Sequence, residues 1–127
     1  NQIPHYGRDF IKAEVYIEQS LQPRFPDVNL DELQSAWRDI IKRARLIQHH
    51  KISREELSVR EHMTIVLKHL QGRKFVEFEH LFDPTLGVPV LVVTFIALLE
   101  LAKETLIEIT QAEAFAPIYV RLAYTPS

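Results

Sequence analysis

The amino-acid sequence has no cysteine, one methionine, one tryptophan and three glycines among its 127 residues. Without cysteine the chain can form neither disulfide bonds nor thiolate metal sites, a composition that fits a reducing cytoplasm. The glycines are isolated from one another, which excludes a glycine-rich loop of the kind that binds phosphate groups. The longest apolar run, residues 88–99, is shorter than the roughly 20 residues that a membrane-spanning helix needs, so we expect no membrane partner.

Positive charge is also scarce. The 15 lysines and arginines are outnumbered by 17 aspartates and glutamates, and the formal net charge is -2. Residues 58–127 alone carry six basic side chains against eight acidic ones. A protein that binds nucleic acid directly needs a basic surface to neutralise phosphates. The composition therefore favours a protein-binding role over direct contact with nucleic acid.

Residues 90–103 form the most apolar segment and are predicted to be a helix. The apolar positions fall on two neighbouring stripes of the helix surface. The first stripe contains Leu91, Phe95, Leu98 and Ala102, and the second contains Val92, Ile96 and Leu99. Because only a narrow side remains polar, this helix has to be covered by its own domain, by a partner, or by both.

A second helix is predicted at about residues 30–48. Asn29 is positioned to cap this helix, and the Glu32 side chain is expected to reach back to the Asn29 amide. One apolar stripe of the helix includes Trp37 and has no obvious partner in its own half of the sequence.

Residues 10–18 alternate between apolar and polar side chains, which is the pattern of a β-strand. No second strand is predicted nearby. We therefore expect this segment to lie extended over a surface or to pair with the sheet edge of another protein.

The rest of the chain has the element order of a winged helix. A Ser-x-x-Glu capping box at Ser58 opens a helix that ends at Gly72. The elements predicted after it are a short strand at 75–78, helical turns at 79–82, the apolar helix, and hairpin strands at 107–111 and 118–122.

The predicted fold class is accordingly mainly α with a small β-hairpin. Residues 1–57 would form an extended segment and one amphipathic helix, about 30–48. A C-terminal winged-helix domain would occupy residues 58–123, and residues 124–127 would be a tail.

The histidines are the remaining candidates for chemistry. His49 and His50 have no third ligand at metal-binding spacing, and His62 and His69 lie seven residues apart on one predicted helix. No pair of nucleophile and base is recognisable. We therefore predict no catalytic, cofactor-binding or metal-binding residue, and no enzymatic activity.

The apolar helix also resembles a family signature. Residues 92–103, Val-Val-Thr-Phe-Ile-Ala-Leu-Leu-Glu-Leu-Ala-Lys, are similar to the V-T-F-L-A-L-L-E-L-x-K stretch of the ScpA family, the kleisin subunits of bacterial SMC condensin complexes. The similarity continues in order along nearly the whole chain, in residues 7–10, 30–37, 58–63, 75–82 and 107–118. The N-terminal domain that family members carry has no counterpart here, and in a fragment it would lie upstream of Asn1.

This resemblance implies a non-enzymatic adaptor that bridges SMC ATPase heads and recruits a ScpB dimer for chromosome condensation and segregation. SMC would supply the ATP hydrolysis, and the adaptor would need no cofactor. Chromosomal DNA would be contacted only indirectly, through the complex. The protein would lie in the cytoplasm, associated with the nucleoid.

The resemblance also assigns each partner to a part of the chain. The middle segment of a kleisin runs over ScpB, and the residues expected to contact ScpB are Phe10, Val15, Ile17, Leu33, Trp37 and Ile40. The winged helix of a kleisin docks on an SMC head, and an outer hairpin strand could add to a partner sheet. The residues expected to contact SMC are Phe115, Ile118, Tyr119, Val120, Arg121 and Leu122.

A winged-helix transcriptional regulator that binds DNA is the alternative hypothesis. The apolar helix occupies the position that reads DNA in such regulators. However, it offers only Lys103 against Glu100 and Glu104, and the hairpin turn 112–114 has no basic residue. Since a DNA-reading surface first needs positive charge to hold phosphates, the adaptor is the favoured interpretation.

Overall fold

The computed structural model describes residues 28–47 and 57–123. The helices in these ranges are α1 (Leu30–Ile47), α2 (Val59–Leu70) and α3 (Val88–Lys103), with short 3-10 helices at Phe78–Leu81 and Pro84–Leu86. The strands are β1 (Val76–Glu77), β2 (Ile107–Gln111) and β3 (Ile118–Leu122). This architecture confirms the predicted mainly α fold with a small antiparallel β element. The alternating segment 10–18 lies outside the described residues.

The ends of α2 follow local sequence signals. The Ser58 side chain accepts a hydrogen bond from the Glu61 backbone N–H at 3.2 Å, so the predicted N-terminal cap is present. After the last helical residue, Gly72 has a φ of +75°, a left-handed conformation that costs glycine little. The chain can therefore leave the helix and enter β1 within a few residues.

Helix α3 is the centre of the hydrophobic core. Leu91, Phe95 and Leu98 are at most 1% exposed, and α2 packs along the helix. The helix can be apolar on nearly every side because α1, α2 and the sheet each cover part of it. In residues 28–47 and 57–123, no helix combines the length and the apolar character needed to cross a membrane.

Helix α1 packs against α3 through an aromatic cluster. Trp37 is fully buried, and its ring stacks on Phe95 with centroids 4.2 Å apart and planes 25° apart. Phe82 lies against the other aromatic rings, 5.6 Å from Trp37, and Phe78 packs edge-on to Phe82 at 5.0 Å. Such stacked and tilted ring pairs are favourable beyond the area they bury. The expectation that the apolar stripe of α1 needs a partner protein is therefore wrong, since α1 shares one core with α2, α3 and the sheet.

The sheet has the strand order β1-β3-β2, with both pairs antiparallel. Val120 is opposite Val76 on one side and Ile109 on the other. The hairpin strand β3 is thus the central strand. The expectation that it is an outer strand is wrong, because two-residue β1 covers the edge that the hairpin alone would leave open.

Asp83 caps the second 3-10 helix. Its Oδ1 accepts hydrogen bonds from the Thr85 hydroxyl at 2.6 Å and from the Thr85 backbone N–H at 3.0 Å. These two hydrogen bonds, the hydroxyl's first, hold the pKa of the Asp83 carboxyl below its ordinary value. A carboxylate with a lowered folded-state pKa contributes stability above its unfolded pKa and loses it as the pH falls through the folded value.

We predict that Trp37→Ala lowers the free energy of unfolding by about 3–5 kcal/mol, because it removes a buried indole from the aromatic cluster. Chemical denaturation of the chain measures this loss. Lys42→Ala, at an exposed position of the same helix, should stay within about 0.5 kcal/mol of the parent. Equal stability of the two variants would show that α1 does not pack on α3 in solution.

We also predict that Asp83 titrates with a midpoint below 3.8, its ordinary value. The carboxyl carbon shift of Asp83, followed by NMR against pH, measures the midpoint. Thr85→Val removes the hydroxyl donor but keeps the backbone N–H, so the midpoint should rise in that variant. An unshifted parent midpoint would contradict the capping interaction.

Candidate protein-binding surface

The residues expected to contact ScpB divide into two groups. Leu33 and Trp37 are fully buried and Ile40 is 2% exposed, all within the core of this chain. Their positions leave no side-chain surface for a second protein, because α3 and the 3-10 helices already cover them. The others, Phe10, Val15 and Ile17, lie outside the described residues.

The residues expected to contact SMC are separated by the alternation of β3. Ile118 is 7% exposed and Val120 is fully buried, so these two side chains face the core. Tyr119 and Leu122 are half-buried and Arg121 is exposed. Of the expected set, the side chains that reach the surface are Phe115, Tyr119, Arg121 and Leu122.

A second aromatic residue joins Tyr119 on the outer face of the sheet. Phe75 is 55% exposed, and its ring meets the Tyr119 ring edge-to-face with centroids 4.7 Å apart. Sequence reasoning missed Phe75 as a surface residue because its neighbour across the sheet depends on how β1 pairs with β3. The available signal was the alternation of a strand, which places Phe75 on the opposite face from Val76.

The basic residue beside Tyr119 on β3 is paired with a carboxylate. Arg121 donates hydrogen bonds from Nε and Nη2 to Glu108 Oε1, the former at 2.8 Å, across the β2–β3 pair. Arg121 is the basic residue of the hairpin, and the turn itself carries an acidic one, Glu113. This hairpin therefore presents aromatic and paired polar groups, and not the unpaired positive charge that holds phosphates.

The turn between β2 and β3, residues 112–117, carries Phe115 at its tip; we refer to it as the wing turn. Phe115 is 89% exposed, and its φ of +66° is unusual for a residue with a bulky side chain. Its backbone N–H donates to Glu32 Oε1 at 2.8 Å, across 83 positions of sequence.

Gln111, the last residue of β2, connects the same turn to the start of α1. It is 6% exposed, and its Oε1 accepts from the Asn29 backbone N–H at 2.9 Å. Its Nε2 donates to Glu32 Oε1 at 2.7 Å and to the Ala116 carbonyl at 3.0 Å. Both donors and the acceptor of this buried amide are thus satisfied.

The expected cap of α1 is only half present. Asn29 Oδ1 accepts from the Glu32 N–H at 3.1 Å, as expected. The expectation of a reciprocal hydrogen bond between the Glu32 side chain and the Asn29 amide is wrong. The Asn29 N–H donates to Gln111 instead, and Glu32 accepts from Gln111 and Phe115. Local sequence reasoning could not find this arrangement, since its donors lie in a distant part of the chain.

The buried face of α3 is not available to read DNA. Thr94 is 9% exposed, and its hydroxyl donates to the Val90 carbonyl of its own helix at 2.8 Å. Lys103 and Glu104 are the exposed residues at its C-terminal end. A helix that supplies the core has little surface left to enter a groove.

Comparison with known proteins places the chain in a family. Residues 2–123 match the family model of segregation and condensation protein ScpA. Curated relatives with the name segregation and condensation protein A include one from Xylella fastidiosa, 42% identical over 120 residues, and one from Coxiella burnetii, 38% identical over 122 residues. A third, from Listeria monocytogenes, is 40% identical over 99 residues. No solved structure matches the chain significantly.

The matches cover most of this chain but less than half of each relative. The Xylella alignment spans 94% of this chain and 40% of the relative, and the Coxiella alignment spans 95% and 46%. The Listeria alignment spans 75% and 39%. The resemblance first seen in the apolar helix thus extends along almost the whole sequence, and the chain belongs to the ScpA family of segregation and condensation proteins.

Proposed function

We propose that this chain is part of a non-enzymatic kleisin adaptor that acts in chromosome segregation and condensation. In this proposal its winged helix docks on an SMC ATPase head, and its N-terminal segment recruits ScpB. The observation that carries the proposal is the distribution of apolar side chains. The helix in the DNA-reading position is buried in the core, whereas aromatic rings are exposed on the sheet and the wing turn.

The proposed SMC-binding surface comprises exposed and half-buried side chains around the hairpin; we name it the wing surface. Its members are Phe75, Phe115, Tyr119, Arg121 and Leu122. Aromatic residues and arginine are the side chains that most often dominate the free energy of protein–protein binding. An exposed phenylalanine gains more from burial by a partner than any neighbouring polar residue, because it removes a large apolar area from water.

Strand addition to a partner sheet would use β2, and not β3. Within the described residues β3 is paired on both sides, while β2 pairs only with β3. Of the two hairpin strands, β2 is therefore the one whose outer backbone groups a partner strand could bind. Glu108 and Thr110 lie on the solvent face of this strand, beside the wing surface.

Recruitment of ScpB is assigned to the N-terminal part of the chain. Since α1 buries its tryptophan internally, the proposed contacts are Phe10, Val15 and Ile17 together with the end of α1. Leu46 at that end is 78% exposed and Ile47 is 39% exposed. Two adjacent exposed aliphatic side chains at a helix end provide apolar surface that a partner protein could bury.

The proposed adaptor acts without chemistry of its own. SMC would hydrolyse ATP, and this protein would hold SMC and ScpB in one complex in the cytoplasm at the nucleoid. Chromosomal DNA would be bound only through that complex, which agrees with the paired charges of the hairpin.

We predict that Phe115→Ala weakens binding to the purified SMC head by about tenfold or more, because it removes the most exposed aromatic anchor of the wing surface. Calorimetric or surface-binding titration measures the Kd. Lys68→Ala, an exposed position on α2, is the matched control and should leave the Kd unchanged. The melting temperature should hardly change in either variant, since neither side chain is in the core.

Two results would contradict this proposal. A parent chain that shows no binding to SMC heads would remove the adaptor function itself. Equal affinities of the Phe115 and Lys68 variants would remove the wing surface as the docking site. A titration of the parent with duplex DNA at low salt should be flat, whereas salt-sensitive binding would favour the regulator hypothesis.

We further predict that Leu46→Ala weakens binding to a ScpB dimer several-fold, since it removes an exposed apolar group from the proposed contact at the end of α1. Pull-down followed by titration against purified ScpB measures the change. Lys42→Ala, one turn earlier on an exposed side of α1, should bind like the parent. If Leu46→Ala also binds like the parent, the end of α1 takes no part in recruitment.

A further inference from the structure

The contact between α1 and the wing turn joins two parts of the chain that the sequence separates by about 80 positions. We call it the latch: Asn29, Glu32, Gln111, Phe115 and Ala116, linked by their hydrogen bonds. Glu32 Oε1 is its centre, because it accepts from both the Gln111 side chain and the Phe115 backbone. Hydrogen bonds to an ionised acceptor are stronger than those between neutral groups.

The latch acts on the one residue of the wing turn whose backbone is strained. A phenylalanine with a φ of +66° has its Cβ close to its own carbonyl, so this conformation is unfavourable by itself. The bond from its N–H to Glu32 offsets that cost and selects this conformation among those open to a short turn. The direction of the Phe115 side chain thus depends on a residue of α1.

The ring that is held in this way does not contribute to the core. Phe115 is 89% exposed, so its side chain adds little packing free energy to the folded chain. A large apolar side chain on an ordered backbone is instead preorganised for binding, because a partner need not restrict its conformations again.

One oxygen of the Glu32 carboxylate lowers the stability of the fold. Its second carboxylate oxygen, Oε2, is buried and has no hydrogen-bond partner among the described residues. A buried unsatisfied oxygen disfavours folding. Within the described residues, one oxygen of Glu32 thus holds the wing turn while the other receives no hydrogen bond.

We propose that Glu32 is a positioning residue for partner binding: through the latch, helix α1 sets the conformation in which Phe115 is presented to the SMC head. This inference rests on the proposed docking of the wing surface on SMC. It adds that the start of α1, outside the winged helix in sequence, controls an interaction made by the winged helix.

The test compares Glu32→Ala with Glu32→Gln. Alanine removes the acceptor, whereas glutamine keeps one side-chain oxygen for the Phe115 and Gln111 donors. In the free chain, we expect hydrogen exchange of the Phe115 amide to be about tenfold or more faster in Glu32→Ala and close to the parent in Glu32→Gln. The coupling constant between the amide and α protons of Phe115 reports its φ and should change only in the alanine variant.

Binding to the purified SMC head supplies the second measurement. We expect Glu32→Ala to raise the Kd about five- to tenfold, and Glu32→Gln to restore most of the affinity. In a Phe115→Ala background, Glu32→Ala should cause little further loss, because a positioning residue has no effect once the side chain it positions is gone. A merely structural role would instead give the same loss in both backgrounds.

Each outcome decides the inference. Unchanged exchange of the Phe115 amide in Glu32→Ala would overturn the latch. Faster exchange with additive losses of affinity would overturn the positioning role and leave the proposed docking intact. If the parent chain does not bind SMC heads, the proposed function fails and the positioning role falls with it, while the exchange measurement still decides whether the latch exists.

Discussion

The stacking of Trp37 on Phe95 is the contact on which the arrangement of this chain depends. Phe95 lies at the centre of α3, so the stack places α1 directly on the core that α2, α3 and the sheet form. Fully buried aromatic rings leave few alternative packings, because protein interiors have little free volume. An amphipathic helix that alone would have to find a partner thereby becomes part of the domain, and its ends acquire defined positions.

One consequence of those defined positions is the latch. Because the apolar residues of α1 from Leu33 to Ala44 are buried in the core or packed against it, its first turn lies next to the end of β2 and the wing turn. Glu32 can then bind a backbone N–H that is distant in sequence, and the wing turn takes a shape that its own residues would not select. Core packing, a buried amide and an exposed aromatic ring are thus connected in one chain of contacts.

The buried helix α3 and the wing surface have different roles in the proposed adaptor. An apolar helix in the DNA-reading position serves as the core here, and the wing surface combines aromatic rings with the Arg121–Glu108 ion pair. Membership of the ScpA family agrees with a role in chromosome segregation and condensation. In the proposed adaptor, α3 stabilises the fold and the wing surface provides the binding specificity.

Features that depend on neighbours along the chain could be predicted before the fold was known: the apolar helix α3 from its periodicity, the start of α2 from the Ser58 cap, the hairpin from alternation, and the family from ordered similarity. Only the tertiary structure decided that Trp37 packs internally, that β3 is central, and that Glu32 binds the wing turn and not its own helix end. Each of these depends on residues far apart in sequence. Periodicity shows which face of an element is apolar, but it cannot show which distant surface will cover that face or supply a closer donor.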